Sequence, residues 1–85
     1  MIRLTLYGRQ DCELCHEMRA VVDAVLRAAP PTWQVTLDEV DVDGDAALVE
    51  AYGTDVPVLC VNGVWAFAHR LEPGALRARL AREAS

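Results

Sequence analysis

Ile2-Arg3-Leu4-Thr5-Leu6-Tyr7-Gly8-Arg9-Gln10-Asp11-Cys12-Glu13-Leu14-Cys15-His16-Glu17-Met18 changes its hydrophobic period half-way along. Ile2, Leu4 and Leu6 alternate with Arg3, Thr5 and Tyr7, the period of a strand, and Gly8 bounds it. After the polar Arg9-Gln10-Asp11, apolar residues return at three- and four-residue steps: Leu14, Met18, Val21, Val22, Val25, Leu26 and Ala29. That spacing predicts an amphipathic helix, which Pro30-Pro31 stops. A Cys-x-x-Cys therefore falls where the loop after a strand enters a helix. Backbone N–H groups at a helix N-terminus lack partners and the helix dipole is positive there, so a thiolate is stabilised. A cysteine in such a place titrates anywhere from about 3.5 to 7.5, against about 8.5 when free.

Outward from this stretch the chain continues in short elements. Trp33, Val35 and Leu37 resume alternation, and Val40 and Val42 extend or bend the strand past Glu39. Asp41-Val42-Asp43-Gly44-Asp45 is a turn rich in N-cap residues, so a short helix is expected over Ala46–Tyr52, capped by Gly53. Val58–Val61 is an uninterrupted apolar run, as in a strand covered on both faces. Asn62-Gly63 is a strong hairpin signal, with Val64–Ala68 as the returning strand. Glu72-Pro73 opens a last helix, with Arg77, Arg79 and Arg82 toward its C-terminal end. The order is βαβαββα. A helical crossover makes the first two strands parallel, and the last two form a hairpin. The expected fold class is α/β, a four-stranded mixed sheet with three helices in a single domain over residues 1–85.

Composition narrows the function. With 85 residues, 53% hydrophobic and 25% charged, there is room for one small domain and no disordered tail. The formal charge is −5 and every basic residue is Arg, so a basic nucleic-acid footprint is absent. No apolar run approaches the ~20 residues of a membrane span. The first residues alternate too strictly for a signal-peptide core, and a cytoplasmic location is the expectation. The three cysteines, Cys12, Cys15 and Cys60, are an odd number, which argues against a disulfide-stapled secreted scaffold.

A Cys-x-x-Cys after a strand and opening a helix points to thiol–disulfide exchange. Cys12, at the helix start, is the expected nucleophile, and Cys15, one turn deeper, the resolving thiol. Asp11 and Glu13 flank Cys12, and like charge disfavours a further anion, so they are expected to make its thiol less acidic. His16, four residues from Cys12 on the same helical face, is either a modulator of that thiol or an exposed polar residue. Cys12-Glu13-Leu14-Cys15-His16 also spells a c-type haem attachment site, but Met18 is too near His16 to be the opposite axial ligand, and the strand-rich pattern does not suit a helical haem pocket. A zinc site from Cys12, Cys15, Cys60 and His69 lacks a second close-spaced ligand couple. Asp38 to Asp45 lacks calcium-loop spacing and reads as turn and cap chemistry. No metal site is expected. Cys60 reads as a core cysteine, and Trp33, Trp65 and Phe67 as sheet-packing aromatics.

The same residues carry a resemblance. Arg9, three before the first cysteine, Cys12-x-x-Cys15, the Leu37-Asp38-Glu39 strand and Val56-Pro57 before the third strand resemble glutaredoxins, within the thioredoxin-like superfamily, over nearly the whole chain. The resemblance implies a small thiol–disulfide oxidoreductase with a redox-active Cys12–Cys15 pair. It implies that Pro57 is cis beside that pair, that Val56 offers backbone hydrogen bonds to a peptide-like substrate, and that Arg9 binds a glutathione carboxylate. Two departures bear on substrate: Glu13-Leu14 replaces the usual Pro-Tyr, and Ala66-Phe67-Ala68-His69-Arg70 stands where glutaredoxins grip glutathione with Gly-Gly and Asp. No tightly bound cofactor is expected, and glutathione is the candidate co-substrate. The expected partners are protein or small-molecule disulfides, with glutathione or a thioredoxin reductase as electron donor, and neither nucleic acid nor membrane. The alternative is a non-catalytic binding module of the same fold whose cysteine pair is structural or vestigial.

Overall fold

The computed structural model describes all residues, Met1–Ser85. Strand β1 (Ile2–Gly8) leads into helix α1 (Glu13–Ala28), strand β2 (Val35–Asp41), helix α2 (Ala46–Tyr52), strands β3 (Val58–Val61) and β4 (Val64–Ala68), and helix α3 (Pro73–Ala84). The sheet runs β2-β1-β3-β4, with β2 parallel to β1 and the other neighbours antiparallel. No helix is long and apolar enough to cross a membrane.

One face of the sheet is sealed by α1 and α3. Ile2, Leu4 and Leu6 of β1, with Leu59 and Val61 of β3, meet Met18, Val22 and Val25 of α1 and Leu76 and Leu80 of α3. The alternation of β1 and the three- and four-residue steps of α1 thus serve one core. Truncating a fully buried leucine such as Leu76 or Leu80 to alanine is worth about 2–5 kcal/mol. The opposite face is covered more thinly. There Tyr52, at the end of α2, stacks on Tyr7 of β1 at 4.1 Å between ring centroids and tilts against Trp65 of β4 at 5.8 Å. All four residues of β3 are buried, as its continuous apolar run requires in the centre of a doubly covered sheet.

Local chemistry sets the boundaries. Asp45 caps α2 by accepting the Ala47 N–H at 2.8 Å. Pro73 occupies the start of α3, where its missing N–H has no consequence. Asn62 and Gly63 both adopt positive φ, +50° and +81°, as the tight turn between β3 and β4 demands.

Three expectations need correction. Trp33 does not begin β2; it ends a single 3-10 turn, Pro31–Trp33, after which Gln34 reverses the chain with φ +52°. Trp33 packs on the core from there, with the Arg77 guanidinium 5.3 Å from its ring centroid. Val42 likewise leaves the strand. The Asp41 carboxylate accepts the Asp43 N–H at 2.9 Å and starts a second 3-10 turn, Val42–Gly44, in which Val42 is fully buried. Trp65 is not a packed sheet aromatic like Phe67. The β3–β4 register shifts between Leu59, opposite Phe67, and Cys60, opposite Trp65. This bulge places Ala66 and Phe67 against the core, leaving Trp65 46% exposed beside Tyr52.

Candidate functional site

Cys12 and Cys15 form a disulfide, with their Cα atoms 5.2 Å apart. Cys12 is the N-cap of α1, in extended conformation (φ −124°, ψ 108°), so its carbonyl takes the first helical hydrogen bond from the His16 N–H. Its Sγ accepts the Cys15 N–H at 3.1 Å. A sulfur thus stands where a Ser or Asp oxygen would normally cap a helix. On reduction that same N–H and the positive end of α1 are in place to stabilise a thiolate on Cys12. Cys12 is half-buried, whereas Cys15 is buried. Cys12 is the outer member of the pair and Cys15 the inner one.

Gly8, the last residue of β1, lies directly against Cys15. A Cβ there would sit 3.1 Å from the Cys15 Sγ and 3.2 Å from its Cβ, so glycine gives the inner cysteine its space. A cavity of about 290 Å³ opens beside it, lined among others by Gly8, Arg9, Cys15, His16, Glu39 and Asp41. Neither Val56 nor Pro57 lines this cavity; it approaches Cys15 from the β2 side. A smaller hollow of about 130 Å³ lies between α1 and the loop before α3, with Leu14, Glu17, His69 and Arg70 on its walls.

The Val56–Pro57 bond is cis, and Pro57 is fully buried. The Pro57 carbonyl accepts the His69 N–H at 2.8 Å, tying the segment to the end of β4. Val56, half-buried between α2 and β3, makes no backbone hydrogen bond within the chain. Arg9 makes contacts within the chain. Its Nε donates to both carboxylate oxygens of Asp43, at 3.0 and 3.2 Å, and its Nη1 donates to the Gly53 carbonyl at 2.6 Å. It clamps the β1–α1 loop to the turn before α2 and to the end of α2. Gly8 and the two acceptors of Arg9 are the residues that reasoning from sequence missed. Gly8 had a weak signal, as the glycine ending the strand before the motif. Asp43 and Gly53 had none, since they lie 34 and 44 residues from Arg9.

Cys60 is the chain's free cysteine, buried in β3. Burial raises its thiol above the ordinary value, with the Tyr52 hydroxyl partly offsetting it. Burial thus favours the neutral thiol at Cys60. No three His, Cys, Asp or Glu side chains are grouped to hold a metal ion, and Asp41, Asp43 and Asp45 are engaged in caps, turns and the Arg9 pair.

Comparison with known proteins sorts these features. The family described as glutaredoxin-like domain (DUF836) matches residues 3–81. The chain belongs to that family. Among solved structures it is similar to structural-genomics target XcR50 from X. campestris, at 37% identity over 93% of this chain and 96% of that one, with a TM-score of 0.74. Protein Ne2328 from Nitrosomonas europaea is similar at 26% identity, covering 92% and 89%, with a TM-score of 0.75. A thioredoxin variant from Halobacterium salinarum NRC-1, 22% identical, covers 99% of this chain and 75% of its own, with a TM-score of 0.68, and shares the fold. No curated protein sequence matches. This glutaredoxin-like domain therefore has a thioredoxin-like fold, as expected, with its cysteine pair at disulfide distance at the head of α1.

Proposed function

We propose that this glutaredoxin-like protein is a thiol–disulfide oxidoreductase that cycles Cys12 and Cys15 between dithiol and disulfide. The observation that carries the reading is the asymmetry of the pair. Cys12 is the half-exposed N-cap whose sulfur already receives a helix N–H, while Cys15 is buried one turn behind it. In the reducing direction the Cys12 thiolate attacks a substrate disulfide, forming a Cys12–substrate bond and expelling one substrate thiolate, which takes up a proton. Cys15 then gives up its proton and attacks the Cys12 sulfur. The intramolecular disulfide closes and the second substrate thiol leaves, so two electrons pass from the chain to the substrate. The free peptide groups of Val56 support a role in pairing with the backbone of an extended substrate. Pro57, with no N–H of its own, shapes the strand end beside it. Arg9 holds the loop carrying the motif. In a cytoplasmic setting, where thiols are kept reduced, the pair works as a reductant recharged by glutathione or by a thioredoxin reductase.

Intact mass after thiol alkylation, across graded dithiothreitol and glutathione redox buffers, tests this. Cys12 and Cys15 are expected to titrate together as a two-electron pair, with Cys60 apart. Three thiols reduced at every poise would end the catalytic reading in favour of a binding module. Cys15→Ser is expected to trap a mixed disulfide on Cys12; trapping by Cys12→Ser instead would reverse the assigned roles.

A further inference from the structure

The charges around the disulfide leave no cation free. Arg9, Arg19 and Arg70 are the arginines at this pole, and each faces a carboxylate. Arg9 is held by Asp43 at 3.0 Å. Arg19 bridges Asp23 at 3.0 Å and also pairs with Glu39 on the cavity wall. Arg70 lies 3.8 Å from Glu17. Asp11 and Glu13, the two neighbours of Cys12 in the chain, are exposed and form no ion pair within the chain. The other arginines sit far away, Arg3 with its backbone paired to Asn62 near the start of β1 and Arg82 in the last turn of α3. Arg27 ends α1, roughly 20 Å along the helix at 1.5 Å per residue. Arg77 lies over Trp33 beyond that end, and Arg79 pairs with Glu83 next to the Asn62 turn. At physiological salt the Debye length is about 8 Å, so those charges are not felt at the sulfurs. The unpaired side-chain charges beside Cys12 are the carboxylates of Asp11 and Glu13.

We propose that this polarity selects the substrate: a protein disulfide carried on a basic surface, its sulfurs flanked by Lys or Arg side chains, with anionic disulfides such as oxidised glutathione disfavoured. The inference rests on the thiol–disulfide reading above. The sulfur pair is the site; the carboxylates set which partner approaches it. Substrate and transition state share the charge complementarity, so it acts on the rate of attack at low concentration. The electron balance is unchanged: the dithiol is oxidised, and one disulfide becomes two thiols.

Three small disulfides make the test. Reduced protein is mixed with cystamine (two ammonium groups), bis(2-hydroxyethyl) disulfide (neutral) or 3,3′-dithiodipropionate (two carboxylates), and oxidation of the pair is followed by alkylation and intact mass. Each rate is divided by that of the neutral disulfide, so a change in Cys12 acidity cancels. Each ratio is then divided by the same ratio for 2-mercaptoethanol, which removes the disulfides' intrinsic reactivity. A unit charge about 7 Å away in water alters a rate roughly threefold, so two unpaired carboxylates predict a cystamine preference of about five- to tenfold at low salt. Dithiodipropionate is expected to be slower than neutral by a similar factor, and both are expected to converge within about twofold in 0.5 M NaCl. The double variant Asp11→Asn/Glu13→Gln is expected to bring the cystamine ratio close to one. A normalised ratio near one in the unaltered protein, or one insensitive to salt, overturns the inference and leaves the redox reading standing. A faster anionic disulfide does the same. Failure of all three disulfides to oxidise the pair overturns the redox reading itself, and this inference with it.

Discussion

Arg9→Ala separates a clamp from a substrate anchor. The guanidinium makes a charge-assisted, part-buried bond to the Gly53 carbonyl and a forked contact with the half-exposed Asp43. The first is worth about 1.5 kcal/mol net. The second, open to solvent, adds about 0.5 kcal/mol. Arg9→Ala therefore costs about 2 kcal/mol. With an m-value of about 1 kcal/mol/M, expected for so small a domain, the urea midpoint falls by about 2 M. Asp43→Asn removes only the ionic part and costs about 0.5 kcal/mol. Arg9→Lys keeps a charge but cannot reach two acceptors in a fixed fork, and falls between. The assay is equilibrium urea unfolding of the oxidised protein followed by tryptophan fluorescence, with turnover of a disulfide substrate measured in parallel below the transition. The clamp predicts lost stability with little change in KM. An Arg9→Ala protein within 0.5 kcal/mol of the parent, with KM raised fivefold or more, would refute the reasoning and restore Arg9 as the group that holds substrate.

Three further outcomes follow from the site. Gly8→Ala brings a methyl to 3.1 Å from the Cys15 sulfur, which is fixed in the disulfide but free to turn away in the dithiol. If ~1.4 kcal/mol of the overpacking falls on the oxidised form alone, the midpoint potential rises by about 30 mV; a redox titration superimposing on the parent's would remove Gly8 from the site. Glu13→Gln is expected to lower the pKa of the reduced Cys12 thiol, by relieving like-charge repulsion, read from the pH dependence of alkylation rate; no movement would mean the carboxylate is fully screened. Burial raises both the Cys60 thiol and the Tyr52 hydroxyl above their ordinary values. A raised acid stabilises nothing further once its unfolded counterpart ionises, so stability holds below about pH 9 and declines as pH climbs toward the folded-state values. Cys60→Ala should remove the first part of that decline, and an unaltered pH profile in this variant would count against it.

The elements legible from sequence are those whose signals are local and chemical. Asp45 before α2, Pro73 opening α3 and Asn62-Gly63 between β3 and β4 each fix a backbone conformation within a few residues, and those boundaries stand. The place of the cysteine pair is legible for the same reason: its position at the head of a helix is a fact about neighbours in sequence. Period-two alternation carries less. Trp33 stands two residues before Val35 and Val42 two after Val40, as strand alternation asks, yet both sit in 3-10 turns, because the spacing of apolar residues does not record where the backbone stops being extended. Trp65 and Phe67, two apart, should share a face; a bulge at Ala66 separates them, and no residue there announces it. What the sequence hid at the site is long-range pairing. A lone arginine beside a cysteine pair reads as a group facing substrate, and its contacts with a turn and a helix end far along the chain have no signal in its neighbours. The same pairing, repeated at Arg19 and Arg70, turns a site with three nearby cations into one whose unpaired charges are negative. Counting arginines near a cysteine pair therefore says little about the sign of its field; what decides it is which carboxylates remain after each arginine has found one.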